Sequence, residues 1–563
     1  MVHINLHTLL PTIVAGLKLA VTLVVMSIAA DLGLAQINVQ VTSGPNTTQY
    51  QLSGNKTDVS NQLKQILTNQ LVDGCSCFVW ADQPYETPFA NVSVKANQCK
   101  INFHNVLLKA PVGLPFDHVL RLAGKGIKLT GAQVDGNGPA IDAMGNNTGR
   151  GEGIRVVGSD CQLVDCRASN MPDGSVANCF YIAGENSSVY RCQGINPGYA
   201  CFRNVANSAI FDQIEARIDR ATRNGRNRLF NVDSTLAVER GTVTIRNSML
   251  HADFTDKHLP DKLREVVMNF DPGDSNEKGL DNLVIENCTI KLGESVRSIR
   301  NHHVFKIKNV THSRLDKLTV MTPLSYQGWV MRLQKTQADI TMNCQVLNCH
   351  WDQGINFDSE LKTMIISNCQ LGKPTSYANE LLNDINFPID MLIERSRLIH
   401  QKSLASLRSD NKKCRLKIRN VSFISETSNP NTYVFRSKVP TRPSFFNAIN
   451  FQYAKSDGSP KHHKLWLAYS PATRLALSSY RGLDNTLLFD PNQGVAKQTK
   501  DGRTVNATGS SKILGPPFIG ISGQTGDKIF LSTEQNRHNY GWENADFWSW
   551  NSAFNRWAPI TAQ

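Results

Sequence analysis

The sequence predicts an all-β chain wound as a right-handed parallel β-helix, a solenoid with an N-terminal helical cap and a C-terminal β-rich domain. Three observations carry this. A short pattern of apolar, polar, Asn, small, polar and apolar residues recurs along the middle of the chain. A second pattern, apolar-polar-apolar-acidic, recurs in another phase. Both alternate with a period of two between turn residues, which marks short strands rather than helices.

The chain begins with a candidate export signal. Leu19 to Ala30 is a run of twelve uncharged, mostly apolar residues, with Lys18 before it and Asp31 after it. Twelve residues are too few to cross a bilayer core of about 30 Å as a helix, but they suit the apolar segment of a signal peptide. Gly33-Leu34-Ala35 supplies a small-x-small cleavage site, with a mature start near Gln36. Residues 1–35 are therefore read as a signal peptide or a hydrophobic anchor, and the protein as secreted, extracellular or displayed on a virion surface.

Residues 36–100 form the cap region. Asp58 to Gln70 reads as a short amphipathic helix with Val59, Leu63, Ile66 and Leu67 on one face. Strands follow at Phe78-Val-Trp80, Val92-Ser-Val94, Ile101-Asn-Phe103 and Val106-Leu-Leu108. A helix here covers the open end of a stack of coils, where edge strands and core would otherwise be exposed.

Residues 101–427 carry the repeat. The Asn pattern reads Ile245-Arg-Asn-Ser-Met-Leu250, Ile285-Glu-Asn-Cys-Thr-Ile290, Ile307-Lys-Asn-Val-Thr-His312, Val346-Leu-Asn-Cys-His-Trp351, Ile366-Ser-Asn-Cys-Gln-Leu371 and Ile418-Arg-Asn-Val-Ser-Phe423. Asn247, Asn287, Asn309, Asn348, Asn368 and Asn420 are spaced by 40, 22, 39, 20 and 52 residues, single or double multiples of roughly 20 to 26. Stacked coil on coil, each Asn is expected to bond backbone at a turn, with Cys or Val packed inside beside it. That placement explains the glycosylation-like triplets at Asn287, Asn309 and Asn420 as ladder positions, and Cys288, Cys349 and Cys369 as buried free thiols.

The second pattern reads Phe230-Asn-Val-Asp233, Met268-Asn-Phe-Asp271, Ile355-Asn-Phe-Asp358 and Ile385-Asn-Phe-Pro388, and more loosely Met331-Arg-Leu-Gln334 and Leu407-Arg-Ser-Asp410. Alternation puts Val232, Phe270, Leu333, Phe357 and Phe387 inside. It turns Asn231, Asn269, Arg332, Asn356, Asn386 and Arg408 outward in one column, and Asp233, Asp271, Gln334 and Asp358 in the next. Phe305-Lys-Ile-Lys308 fits either this strand or the Asn ladder. Residues 428–563 read as a separate aromatic-rich β domain. Trp542, Trp548, Trp550 and Trp557 fall in its last 22 residues, suiting either sugar stacking or packing between chains, as in a homotrimer.

The helix, the strand turn and Ile127-Lys-Leu-Thr-Gly-Ala-Gln-Val-Asp-Gly-Asn-Gly138 together resemble the entry to the pectate-lyase-like right-handed β-helix superfamily. The turn Asp135-Gly-Asn-Gly138 is most similar to the phage tailspike and exopolysaccharide depolymerase branch. The resemblance covers about residues 50 to 425 and implies secreted or virion-borne polysaccharide lyases, hydrolases and glycan-binding spikes. Its motifs specify the fold rather than an activity. The polygalacturonase Asp-Asp and Gly-His-Gly signatures and the pectate lyase Trp-Ile-Asp-His are absent, so the resemblance assigns no catalytic residue.

Charge narrows the partner. The 563 residues carry 60 Lys plus Arg against 47 Asp plus Glu, a formal net charge of +13, while only 19% are charged and 40% are hydrophobic. That composition excludes a self-repelling disordered polymer and predicts an acidic partner. Export makes an acidic polysaccharide or cell-surface glycan the better partner, with no nucleic acid. Thirteen cysteines leave at least one unpaired. Cys75 or Cys77 could pair with Cys99, and no Cys-x-x-Cys occurs to hold zinc. No cofactor is called for, although an outward carboxylate row could hold Ca2+.

The candidate chemistry lies in the columns. Neighbouring coils are about 4.8 Å apart, which sets Asp233 and Asp271 near the spacing of about 5 to 5.5 Å used by retaining glycosidases. A lyase instead needs a cation against the uronate carboxylate and a base. Arg332, Lys306 and the run Arg217, Arg220, Arg223, Arg226 and Arg228 supply cations, and Arg grips carboxylates bidentately. The candidate catalytic set is Asp233, Asp271 and Arg332. The candidate substrate-binding set is Asn231, Asn269, Asn356, Asp358, Arg223, Arg226, Arg228 and Lys306. His302 and His303 point opposite ways on a strand, so at most one can face a ligand. The function expected is an acidic-polysaccharide lyase or glycoside hydrolase, against a non-catalytic glycan adhesin or a structural surface protein.

Overall fold

The computed structural model describes residues 37–424 apart from 112–115, 139–150, 173–176, 223–226, 234–240, 257–263, 272–279, 298–301, 337–339, 359–360, 374–379, 386–388, 401–402 and 408–414, and beyond 424 only strands. The leader at 1–35, Arg223, Arg226, Asn386, Phe387 and Arg408 lie outside the described residues. The chain folds as a right-handed parallel β-helix and divides into two compact units, 1–198 and 199–563. Among the described residues no helix is long and apolar enough to cross a membrane.

The first unit opens with an antiparallel hairpin, Ile37–Ser43 against Asn46–Leu52, whose first strand also pairs antiparallel with Ser76–Pro88. The α-helix Lys56–Gln65 follows. Asn55 caps it by accepting from Thr57 N–H and Asp58 N–H, while Asp58 accepts from Asn55 N–H, so the helix starts two residues before the amphipathic pattern suggests. A π-helical turn, Ile66–Gln70, completes it. Val59, Leu63, Ile66 and Leu67 are buried, which makes this the apolar face of the cap. Parallel pairing starts inside the cap region, where Ser76–Pro88 runs beside Lys100–Lys109.

In the second unit each coil has three short strands, and each strand pairs parallel with its counterpart one coil on. Asn227–Asp233, Val266–Asp271, His303–Lys308, Trp329–Gln334 and Ile355–Phe357 form one ladder. Inward residues along it are buried: Val232, Phe270, Ile307, Leu333 and Phe357. Phe230 stacks on Phe202 and Phe270 at ring separations of 6.4 and 5.9 Å, giving the core an aromatic spine.

A second ladder turns on the recurrent Asn. Asn247, Asn287, Asn348, Asn368 and Asn420 all have φ between 50° and 55°, the left-handed region that Asn tolerates best after Gly. Register places them in one column with Gln213, Lys317 and Arg395, which share the conformation. The side-chain amides of Asn247, Asn287, Asn348 and Asn368 bond the neighbouring coil's side chain rather than backbone, contrary to the sequence expectation. Asn287 Nδ2 donates to Asn247 Oδ1, and Asn368 Nδ2 to Asn348 Oδ1, both at 2.8 Å. The expectation for Asn309 also needs correcting. Ile307 pairs with Phe270 and Leu333, so Phe305-Lys-Ile-Lys308 belongs to the outward polar strand, and Lys317 holds the ladder position of that coil. Asn309 is buried and closes a different turn, donating from Nδ2 to Thr336 Oγ1 and accepting from Thr336 N–H.

Parallel coil pairing does not stop at residue 427. Arg415–Ile424 pairs with Phe445–Ala454, and that strand with Arg474–Arg481. A five-stranded mixed sheet of Ala496–Thr499, Thr504–Ala507, Lys528–Leu531, Phe547–Asn551 and Arg556–Ile560 follows.

Candidate functional site

Strand register builds the site. On the outward face of the second unit, Arg203 lies beside Asn231, Asn231 beside Asn269, Asn269 beside Lys306, Lys306 beside Arg332, Arg332 beside Asn356, and Asn356 beside Asn383. Asp233 lies beside Asp271, and Lys308 beside Gln334, in the parallel row two residues on. Asp358 follows Phe357 at the same edge. Asn383, not Asn386, fills the row, because the strand there runs Glu380–Ile385. The repeat template placed the row three residues too late.

Ion pairs knit the rows together. Asp233 Oδ2 accepts from Arg203 Nη2 at 2.8 Å. Asp271 faces Lys306 Nζ at 3.0 Å and Lys308 Nζ at 3.2 Å. Arg332 forms a two-point contact with Asp358, which also accepts from Asn356 Nδ2 at 2.7 Å. Asn356 in turn accepts from Asn383 Nδ2 at 2.8 Å, and Asn231 from Asn269 Nδ2 at 3.3 Å. Arg228 sits beside the row because of a β-bulge between Arg228 and Asn231. It donates to Asn231 Oδ1, and its guanidinium lies over the Tyr199 ring, 4.8 Å from the centroid.

The candidate catalytic set is thus divided. Asp233 and Asp271 are register neighbours. Arg332 lies two coils beyond Asp271, and its carboxylate partner is Asp358. Side chains in these pairs are 8–32% exposed, and within the rows Arg203, Asn231, Lys308, Asn356 and Asn383 are buried. Of the arginine run, Arg217 bonds Asp219 at 2.8 Å and Arg228 lies against the polar row.

Sequence reasoning missed Arg203 and Asn383; Phe202-Arg203 carries the same apolar-polar step as Phe230-Asn231, but Asn204 stands where the template has an apolar residue. It also missed a partner for His302. Glu265 and His302 precede adjacent strands of the ladder, and Glu265 Oε2 lies 3.2 Å from His302 Nε2. Burial raises the Glu265 carboxyl above its ordinary range and lowers His302 below its own. In the first unit the equivalent row is Ser93, Arg121, Arg155 and Tyr181, with Arg155 bonded to Asp117 at 3.1 Å. That unit also has a pocket of about 250 Å³ among Lys56, Glu86, Pro88, Lys109, Pro111 and Asn137. Among the described residues, no group of three or more His, Cys, Asp or Glu is placed to hold a metal ion.

No protein-family profile matches the chain, and no curated protein is similar to it. Among solved structures it is similar to the endo-xylogalacturonan hydrolase from Aspergillus tubingensis, with 13% identity over 74% of this chain and 96% of that chain and a TM-score of 0.30. The functional reading rests on the geometry of the rows.

Proposed function

We propose that the protein is an extracellular or virion-borne β-helix that binds an acidic polysaccharide along the outward rows of its second unit. The observation that carries this is the register itself. It lines up Arg203, Asn231, Asn269, Lys306, Arg332, Asn356 and Asn383, one polar group per coil, of which Asn269, Lys306 and Arg332 are partly exposed and the others buried. A step of about 4.8 Å per coil repeats donors along a line, which suits a polymer that repeats carboxylates and hydroxyls. Among the described residues, Arg203, Arg228, Lys306, Lys308 and Arg332 give the face five cations against the three carboxylates of Asp233, Asp271 and Asp358. The surplus favours an anionic ligand, and a uronate can replace an aspartate in a bidentate grip.

Hydrolysis at Asp233 and Asp271 is the second reading, favoured by their adjacent register. Each is matched to a cation in the resting protein, so binding has the stronger support. Affinity electrophoresis and calorimetry with polygalacturonate, alginate and a neutral glucan test both. Wild type should bind the uronates and not the glucan. Lys306→Ala with Arg332→Ala should weaken binding about tenfold, roughly 1.4 kcal/mol, and flatten its dependence on salt. New reducing ends would add hydrolysis, and an unsaturated product absorbing in the near-ultraviolet would add elimination. Failure to bind any uronate polymer overturns the proposal.

A further inference from the structure

We propose that Cys75 and Cys99 form a disulfide that staples the helical cap of the first unit to its first parallel coil, made by exchange with a disulfide oxidant during folding. Their Sγ atoms are 3.0 Å apart and both residues are fully buried. Register brings them together: Ser76 faces Lys100 and Cys77 faces Ile101, so Cys75 and Cys99 occupy the next place back. The Lys100 N–H donates to the Cys75 carbonyl at 2.9 Å, fixing that end of the pairing. Neighbouring strands about 4.8 Å apart fall inside the Cα separation of about 4.4 to 6.8 Å that disulfides span.

The two turns that present the thiols are held independently. Cys75 follows Gly74 at φ 75° and Cys99 follows Gln98 at φ 55°. Asn97 donates from its backbone and its side chain to the two Asp73 carboxylate oxygens, at 2.7 and 3.0 Å, and Gly74 N–H donates to the Asn97 carbonyl at 2.8 Å. Closing the bond therefore needs about 1 Å of sulfur movement, to a length near 2.05 Å. Cys77 is a third buried thiol, but it lies opposite Ile101. Cys99 Sγ also donates to the Val72 carbonyl at 3.1 Å, as other stacked cysteines do to main chain. Cys349 and Cys369 donate to the carbonyls of Leu347 and Ser367 at 3.1 and 3.2 Å.

The exchange balances without any group from the protein beyond the two thiols. One thiolate attacks the oxidant's disulfide and releases one thiol, and the second attacks the mixed disulfide and releases the other. Two electrons pass to the oxidant, and its two thiols carry away both protons. Burial pushes the Cys99 thiol up to about 12, so thiolate is scarce once the unit has folded. The bond must form before burial is complete, and afterwards the same burial shields it from reductants. Residues 75–99 then become a closed loop holding the strands Ser76–Pro88 and Val92–Val94, against which the cap is built.

The test refolds the full chain with oxidised glutathione, denatures it in alkylating agent without reductant, and maps the peptides by mass spectrometry. The expected result is one cross-linked peptide pair joining Cys75 to Cys99, retained in Cys77→Ser and split by dithiothreitol. Reduction, or Cys99→Ser, should lower the melting temperature by roughly 5 to 10 °C. Alkylated Cys75 and Cys99, or a bond from Cys77 to Cys99, overturns the proposal. Peptide maps of wild type and Cys77→Ser decide even where Cys99→Ser fails to fold.

Discussion

Asn287 shows why single residues matter in this fold. Its φ of 50° places it where a Cβ meets the following carbonyl, a cost of about 1–2 kcal/mol for most residues. Asn offsets that cost, and its amide also bonds Asn247 one coil away. Asn287→Ala should therefore destabilise by about 2 kcal/mol, the conformational cost and the lost bond together. Asn287→Gly relieves the first term but not the second, and should recover roughly half the loss. Urea denaturation of the three proteins gives the order, and an alanine variant as stable as the glycine one would contradict it. Lys317 and Arg395 occupy the same conformation. The column therefore tolerates long polar side chains where the turn is otherwise well held.

At the scale of the element, the residue after five of the left-handed turns in this column (Ser248, Cys288, Cys349, Cys369 and Ser396) is small, buried and turned onto main chain, while Ile214, Leu318 and Val421 fill the same place with apolar side chains. Ser248 donates to the Arg246 carbonyl at 2.6 Å, Cys288 to the Glu286 carbonyl at 3.2 Å, and Ser396 to the Glu394 carbonyl at 2.7 Å. Cys and Ser are interchangeable there because each supplies one donor in little volume. Cys288→Ser should cost under about 1 kcal/mol, whereas Cys288→Phe should over-pack the column and cost about 1–3 kcal/mol. Thermal melts separate the two. This grammar is also why the coils were legible: a left-handed turn restricts its residue type, and restriction leaves a mark in sequence. The outward strand is less constrained, so Phe305-Lys-Ile-Lys308 could be assigned only once register joined Ile307 to Phe270. Arg203 with Asp233, and Glu265 with His302, are pairs made by loops of unequal length. No local pattern encodes such a partner, so these contacts were invisible before the coils were stacked.

Across the whole molecule, two histidines lowered by burial, one in each unit, share the sign of their response to acid. His118 is lowered chiefly by burial, with Arg121 and Arg155 acting the same way and Asp117 opposing them. Its ring faces Asp117 and Ser93, each at 3.4 Å. His302 is lowered by burial and faces Glu265. A histidine lowered in the folded state binds fewer protons there than in the unfolded chain, over the interval from the ordinary value near 6.5 down to its folded one. In that interval the unfolded state takes up more protons, so stability rises with pH and is lost as pH falls below about 6.5. Glu265 has the opposite sign, because its raised carboxyl binds more protons folded than unfolded. It costs stability above its ordinary range and returns that cost on acidification, partly masking His302 in the second unit. His118→Gln should flatten the fall in melting temperature as pH drops below about 6.5, and so should His302→Gln. Glu265→Gln should raise stability at neutral pH and steepen the acid loss that His302 causes. Calorimetric scans at half-unit pH steps read all three, and a parallel fall in wild type and His118→Gln would show that His118 titrates as it does in the unfolded chain.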